Sequence, residues 1–388
     1  MRCVVVGAGL TGLAAAWELT RAGADVVVLE SERRAGGVVL TERRDGFLVE
    51  GGPDGFLASE GDIQALAREL GLGDRLVDQL AQGAMVWTGK RLEPLPLGRA
   101  AELLGIQTPM DVGAPTDVGA PTDVGAQHAA PLHYGFRSFA GGMADIVEAL
   151  VARLGPTVRT AQGVAGLAPS RRGWRLAVTG GSHVEAEAVI LAVPAWMAAR
   201  LVAAAGVLEA RQLDDVAYAP SVTVSLAYRS EQITGAREGT GFVRAADADG
   251  SVRACTYSWR KYPARAPQGF ALVRAFLGPV DGDPAAVAHG ELCGILGVTG
   301  APLWGRAFHW SRALPRYQPG HARRVARVRE RLHRLAPLDL AGAAFDGAGV
   351  SACVKSGREA ARRVLGRLGM DPGAPPRGQP TRERSVRG

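Results

Sequence analysis

The sequence predicts a mixed α/β fold, a doubly wound, Rossmann-like parallel sheet combined with a shortened, discontinuous α+β unit. Three observations predict it. A β-branched run at residues 3–6 passes through a glycine turn into apolar residues at helical spacing (Leu10, Leu13, Ala14, Trp17), and a second apolar strand follows at residues 26–29, a βαβ unit of about thirty residues. The 388-residue length exceeds the roughly 150 residues of one ordinary domain, so two domains or one domain with an insertion are expected. An apolar share of 47% with 21% charged residues describes a chain with a sizeable core, not a disordered or collagen-like one.

The elements follow in order. Residues 62–70 carry Ile63, Leu66, Ala67 and Leu70 on one helical face, and residues 85–87 and 92–96 form a hairpin around Thr88-Gly89-Lys90. The hexapeptide Asp-Val-Gly-Ala-Pro-Thr starts at Asp111, repeats at Asp117 and begins again at Asp123. Rich in Gly and Pro with little to bury, residues 111–126 read as a linker; a stacked β-helix needs more copies. A helix at 143–154, strands at 175–178 and 188–193, several strands between 221 and 276, a final helix at 352–368 and a Pro/Arg-rich tail at 371–388 complete the pattern.

Composition excludes several functions. The net charge is +7, and only Lys90, Lys261 and Lys355 among 45 basic residues are lysines. Such a surface attracts anions, yet no basic block with interleaved aromatics marks a nucleic-acid face. Cys3, Cys255, Cys293 and Cys353 form no CxxC, and the seven histidines form no ligand-spaced cluster, so neither a metal nor a disulfide framework is expected. The stretch 189–208 contains Pro194 and Arg200, which breaks a membrane span. The start reads as cytoplasmic, without a secretory leader.

The chemistry concentrates in glycine turns. Gly7-Ala8-Gly9-Leu10-Thr11-Gly12 is a GxGxxG between strand and helix: Gly7 permits the tight turn, Gly9 admits a pyrophosphate to the backbone and Gly12 lets helix and strand pack closely. The helix N-terminus adds amide donors and partial positive charge. Glu30, 18 residues beyond Gly12, is placed to accept the hydroxyls of an adenosine ribose and to repel a 2′-phosphate. Arg34-Ala35-Gly36-Gly37 extends the site with a cation and two residues lacking side chains, which favours FAD over NAD. Gly347-Ala348-Gly349-Val350-Ser351-Ala352 also fits a glycine fingerprint, but no strand ending in an acid follows it, so a second dinucleotide unit is excluded.

This pattern resembles the flavin-dependent amine oxidase superfamily, and further segments resemble its protoporphyrinogen and coproporphyrinogen oxidase branch. The segments that carry the likeness are 46–50 with Gly52-Pro53-Asp54-Gly55-Phe56, the run 136–143, the strand and Ala-x-Pro turn at 188–194, the run 310–317 with Gly320-His321, and residues 340–350 with Ser356-Gly357-Arg358. The resemblance implies that Gly52, Pro53, Asp54 and Gly55 lie under a flavin, that the Val164 backbone meets its adenine, that Trp310 borders the cofactor and that Ala348, Gly349 and Val350 contact the flavin. Ser351 reads as the N-cap of the last helix. Four positions depart from the branch: Ala84 replaces an arginine, Arg316 a glutamine and Ser351-Ala352 a Pro-Asp pair.

The resemblance implies an FAD-binding domain at 1–80, 135–215 and 330–370 and a substrate domain at 81–110 and 216–329, shortened where the linker repeat stands. It implies six-electron oxidation of a porphyrinogen in three hydride transfers, with oxygen as acceptor and a tetrapyrrole as substrate, in haem biosynthesis. Placement of the substrate over the flavin matters more here than an acid or base, so no catalytic side chain is named. An amine or carotenoid-type oxidase, and a flavin-binding remnant without turnover, are the alternatives. Coproporphyrinogen versus protoporphyrinogen, contact with a membrane surface and oligomeric state stay open.

Overall fold

The structure is a computed structural model that describes residues 1–96, 135–235 and 238–371. The linker expected at 111–126 lies outside these residues, as does the expected tail beyond Asp371.

Strand Arg2–Val6 is apolar at every position after Arg2, and the reason is visible in the sheet it joins. Five parallel strands stand in the order 158–159, 25–29, 2–6, 188–191, 338–340. Cys3 and Val5 enter one core with helices Leu10–Arg21, Gly61–Glu69, Ala144–Leu154 and Val350–Arg367; Val4 and Val6 enter another on the opposite face. A strand buried on both faces cannot alternate with polar residues, so it reads as one continuous apolar run. The second face is covered by helices Ala195–Ala204 and His321–Leu332 and by a three-stranded antiparallel sheet over 164–186.

The strand order reverses between 2–6 and 188–191. The carboxyl ends of these two strands and of 338–340 open there onto Gly7, Ala192 and Ala341, and ligands of open α/β sheets settle at such a point.

A separate seven-stranded sheet has the order 304–316, 217–229, 270–277, 252–257, 241–244, 84–87, 92–95, antiparallel except for the pair 241–244 and 84–87. Helix Pro284–Leu296, capped by the Asp283 carboxylate on the Ala285 amide at 3.0 Å, covers one face through Leu292 and Leu296. The opposite face looks back toward the parallel sheet. The strand Trp304–Arg316 and the helix His321–Leu332 were not evident as elements in the sequence. The strand is exposed at most of its positions and so lacks an apolar alternation, and the helix buries only a narrow stripe of His321, Val325, Val328 and Leu332.

Candidate cofactor site

Gly7 ends the first strand at φ 99°, a conformation that suits only glycine, and a Cβ there would overlap the Ala192 carbonyl oxygen. Gly12 is equally confined, since its Cβ would overlap the carbonyl of Gly7. Gly9 differs. It is the N-cap of helix Leu10–Arg21 with no side-chain cap, and a Cβ built on it meets nothing within 4 Å. The first-turn amides of the helix therefore face open space, the arrangement that holds an anion.

The second glycine pair is brought against this turn. The Gly36 amide donates to the Ala8 carbonyl at 2.7 Å, Gly9 and Gly36 form a parallel bridge, and a Cβ on Gly37 would lie 3.3 Å from the Gly9 Cα. Arg34, although exposed, is spent on backbone: it donates to the carbonyls of Ala35 and Val39, both at 3.2 Å, and to that of Gly37. It braces its own loop. Glu30 is buried, with one oxygen accepting from the Ala8 amide at 2.7 Å and the other from the Glu32 amide at 2.8 Å. The segment leading to Val164 runs alongside, the Gln162 amide donating to the Glu30 carbonyl at 2.7 Å, and Val164 itself packs in the same core as Leu29.

A second helix points at the same space. Val350–Arg367 starts from Gly349, again with no side-chain cap. The expected N-cap at Ser351 is corrected here: Ser351 lies inside the first turn, and its hydroxyl accepts the Ile63 amide at 3.3 Å, tying the last helix to Gly61–Glu69. Close crossing of the two long helices depends on Gly357, whose Cβ would overlap the Thr11 carbonyl. Arg358 and Arg362 then grip the buried Glu18 carboxylate at 3.1 and 2.8 Å.

Both helix starts open into one cavity of about 400 Å³, within the usual size range of ligand sites. Of the sequence-predicted residues, Gly9, Leu10, Thr11, Gly36, Gly52, Pro53, Trp310, Ala348 and Val350 line it. Trp310 is held there by its Nε1–H donating to the Gly51 carbonyl at 2.8 Å. Gly7, Gly12, Gly37 and Gly349 shape the turns behind the wall, Glu30, Arg34 and Val164 stand as described above, and Gly55 fits closely against the Tyr262 hydroxyl. Asp54 faces away from the cavity to Lys261, with its oxygens 3.0 and 3.1 Å from Nζ. Burial pushes its carboxyl up, but Lys261 and Arg274 prevail and hold it below the ordinary range. Glu50 nearby shifts the other way, since burial outweighs its bonds from the Met143 amide and the Thr41 hydroxyl.

The far wall comes from the seven-stranded sheet, through Tyr218, Thr223, Arg274, Phe276 and Arg312. Sequence reasoning missed these residues. The available signal was one arginine inside the apolar run 270–277. Cys353 also lines the cavity, and burial raises its thiol. Among the described residues no group of three or more His, Cys, Asp or Glu is arranged to hold a metal, and no helix is long and apolar enough to cross a membrane. Two open helix starts, a flat glycine floor and an aromatic flank fit a planar redox group carrying phosphates: the space over Gly9 is free and the amides beneath it have no side-chain cap.

Comparison with known proteins agrees with this geometry. Coproporphyrinogen III oxidase of Propionibacterium freudenreichii is 28% identical, with 97% of this chain and 93% of that protein covered. Its counterpart in Bacillus subtilis is 24% identical, with 93% and 97% covered. The latter alignment runs over 462 positions, so that relative has segments that this 388-residue chain lacks. The crystal structure of an Exiguobacterium protein described as a protoporphyrinogen oxidase shares the fold, with a TM-score of 0.78 at 24% identity over 95% of this chain and 99% of that one. The profile of the flavin-containing amine oxidoreductases matches residues 10–128 and 117–365, and with most of its length so matched the chain belongs to that family and is a flavin enzyme.

Proposed function

We propose that the chain oxidises a porphyrinogen to the porphyrin with FAD as cofactor and oxygen as final acceptor, coproporphyrinogen III being the first substrate to test. One observation carries this reading. A single cavity joins the two uncapped helix starts to a wall that bears Trp310, Phe276 and Arg274, a cationic, aromatic surface whose chemistry suits a flat, carboxylate-bearing molecule. The relatives named above as coproporphyrinogen III oxidases support the choice of substrate.

In this reading the amides of the helix Leu10–Arg21 hold the diphosphate, Glu30 takes the ribose once its bond from the Ala8 amide is shared, and Ala348, Gly349 and Val350 bring the second helix start to the flavin ring. Partial positive charge at that end favours reduction by roughly 0.3–2 kcal/mol. Bound FAD supplies the two-electron acceptor for hydride removed from a substrate carbon. The chain's own task would be placement: Trp310 and the glycine floor would hold substrate and ring in position, the main term where no acid or base is needed. Six hydrogens leave the porphyrinogen, and three oxygen molecules become hydrogen peroxide.

We further propose that residues 1–80, 135–215 and 330–370 form the cofactor domain, since all five parallel strands fall within them, and that 81–110 with 216–329 form the substrate domain, which contains the seven-stranded sheet. Four unpaired cysteines suit a cytoplasmic site. Amines are a poorer substrate class, because a protonated amine would meet Arg274 and Arg312 at the wall. The experiment is direct. FAD-loaded protein given coproporphyrinogen III in air should raise porphyrin fluorescence and release about three peroxides per porphyrin; a rise no faster than autoxidation overturns the reading.

A further inference from the structure

Two residues of the cavity wall carry a buried polar atom that the fold does not satisfy. Arg274 is 4% exposed and Thr223 is 2% exposed, both line the cavity, and neither the Arg274 Nε nor the Thr223 Oγ has a hydrogen-bond partner among the described residues. Buried polar atoms of native proteins are almost all paired, and an orphan calls for an explanation. Burying a guanidinium with a free donor is costly unless a partner arrives.

Sheet register puts the two together. Arg274 lies opposite Ser225, and Thr223 lies opposite Phe276 two positions along, so Arg274 and Thr223 are diagonal neighbours roughly 7 Å apart on one face. One carboxylate between them can accept from both. The Arg274 guanidinium is steadied by the Phe276 ring, its carbon 4.7 Å from the ring centroid.

The surrounding charge points to an anion. Behind the wall, Lys261, Arg265 and Arg274 face Asp54 and Glu50. Lys261 is committed to Asp54, Arg265 donates to the Ser138 hydroxyl at 2.8 Å and the Phe139 carbonyl at 3.0 Å, and Glu50 is engaged by Met143 and Thr41. With Lys261 committed to Asp54 and Arg265 to protein acceptors, the Arg274 guanidinium is the cation of this group that lines the cavity.

We propose that Arg274 and Thr223 form a seat for a carboxylate of the substrate, anchoring it against the sheet while the ring to be oxidised lies over the cofactor floor. The identity of the ligand rests on the porphyrinogen reading; its negative charge rests on the wall alone. Neither residue is a reacting group. Both position substrate.

The test uses the FAD-loaded full chain with two probes, coproporphyrin III and its tetramethyl ester, binding followed by quenching of porphyrin fluorescence. Arg274→Met should weaken binding of the free acid about 100-fold and leave the ester unchanged, Arg274→Lys should recover part of the loss, and Thr223→Val should cost the acid about tenfold, with bound flavin per chain unaltered in each. Equal binding of the acid by wild type and Arg274→Met, or parallel losses for acid and ester, overturns the proposal, as does a loss of flavin that accounts for the change. If Arg274→Met does not fold, the acid-to-ester ratios of the other two variants decide in the same way. Arg274-dependent acid binding without turnover of coproporphyrinogen III upholds the seat and removes the oxidase reading; turnover with binding indifferent to Arg274 does the reverse; no binding of either probe by wild type removes the seat.

Discussion

Gly9 and Gly12 belong to one motif but answer to different constraints. Gly12 is wedged against the Gly7 carbonyl, whereas Gly9 has ordinary backbone angles (φ −65°, ψ 171°) and free space where a side chain would stand. Gly12→Ala should therefore destabilise the flavin-free chain by about 1–3 kcal/mol. Gly9→Ala should leave its melting temperature nearly unchanged and weaken FAD binding at least about tenfold, because the new methyl occupies the approach to the amides. Thermal unfolding without flavin, paired with FAD titration, separates the two. Asp54 and Glu50 form a second contrast. Asp54 is held below its ordinary 3.8, so its stabilising contribution is complete above that pH and is lost as pH falls through the lower folded value; Glu50 is raised above its ordinary 4.5, so its contribution is complete below 4.5 and is lost as pH rises through the higher folded value. At pH 7 Asp54→Asn should cost about 3–5 kcal/mol by stranding Lys261, while Glu50→Gln should become less harmful as pH rises from 4 toward 8. Urea unfolding across that range checks both signs.

At the scale of elements, function depends on two helices that start on one cavity and cross closely behind it. The crossing at Gly357 leaves no room for a methyl, and the Glu18 carboxylate with its two arginines fixes the rotation of one helix on the other. Gly357→Ala should cost about 1–3 kcal/mol and, by parting the two helix starts, should lower bound flavin measured by absorbance. An increase in stability, as helix propensity alone would give at an exposed site, would show that the crossing is looser than described. The helices themselves were legible in the sequence: expected limits of 62–70, 143–154 and 352–368 fall within two residues of the observed Gly61–Glu69, Ala144–Leu154 and Val350–Arg367. Each carries apolar residues at helical spacing on the face it buries. The same logic explains why the strand Trp304–Arg316 was silent, since its side chains mostly meet solvent.

Across the whole molecule, the cavity exists because two independently built sheets meet over it. The parallel sheet contributes its reversal point, the antiparallel sheet its polar face, and each has its own core. A ligand that touches both should tie them together. Saturating FAD at about 100 times its dissociation constant should stabilise the chain by about 2.7 kcal/mol, seen as a rise in melting temperature that grows with FAD concentration, and no rise with FAD at that level would remove the cofactor assignment.

The βαβ opening, the glycine turns and the family were readable from residue order, because these reside in local spacing: a turn needs its glycines at fixed offsets, and a doubly covered strand must be apolar throughout. Likewise, the residues flanking a glycine turn could be assigned because chain neighbours stay neighbours. Folding alone brings Asp54 to Lys261, Ser351 to a neighbouring helix, and Arg274 and Thr223 to the wall they share with Gly9. Those outcomes depend on contacts between residues up to hundreds of positions apart, and on burial and charge summed over several strands, neither of which leaves a period or a spacing to read.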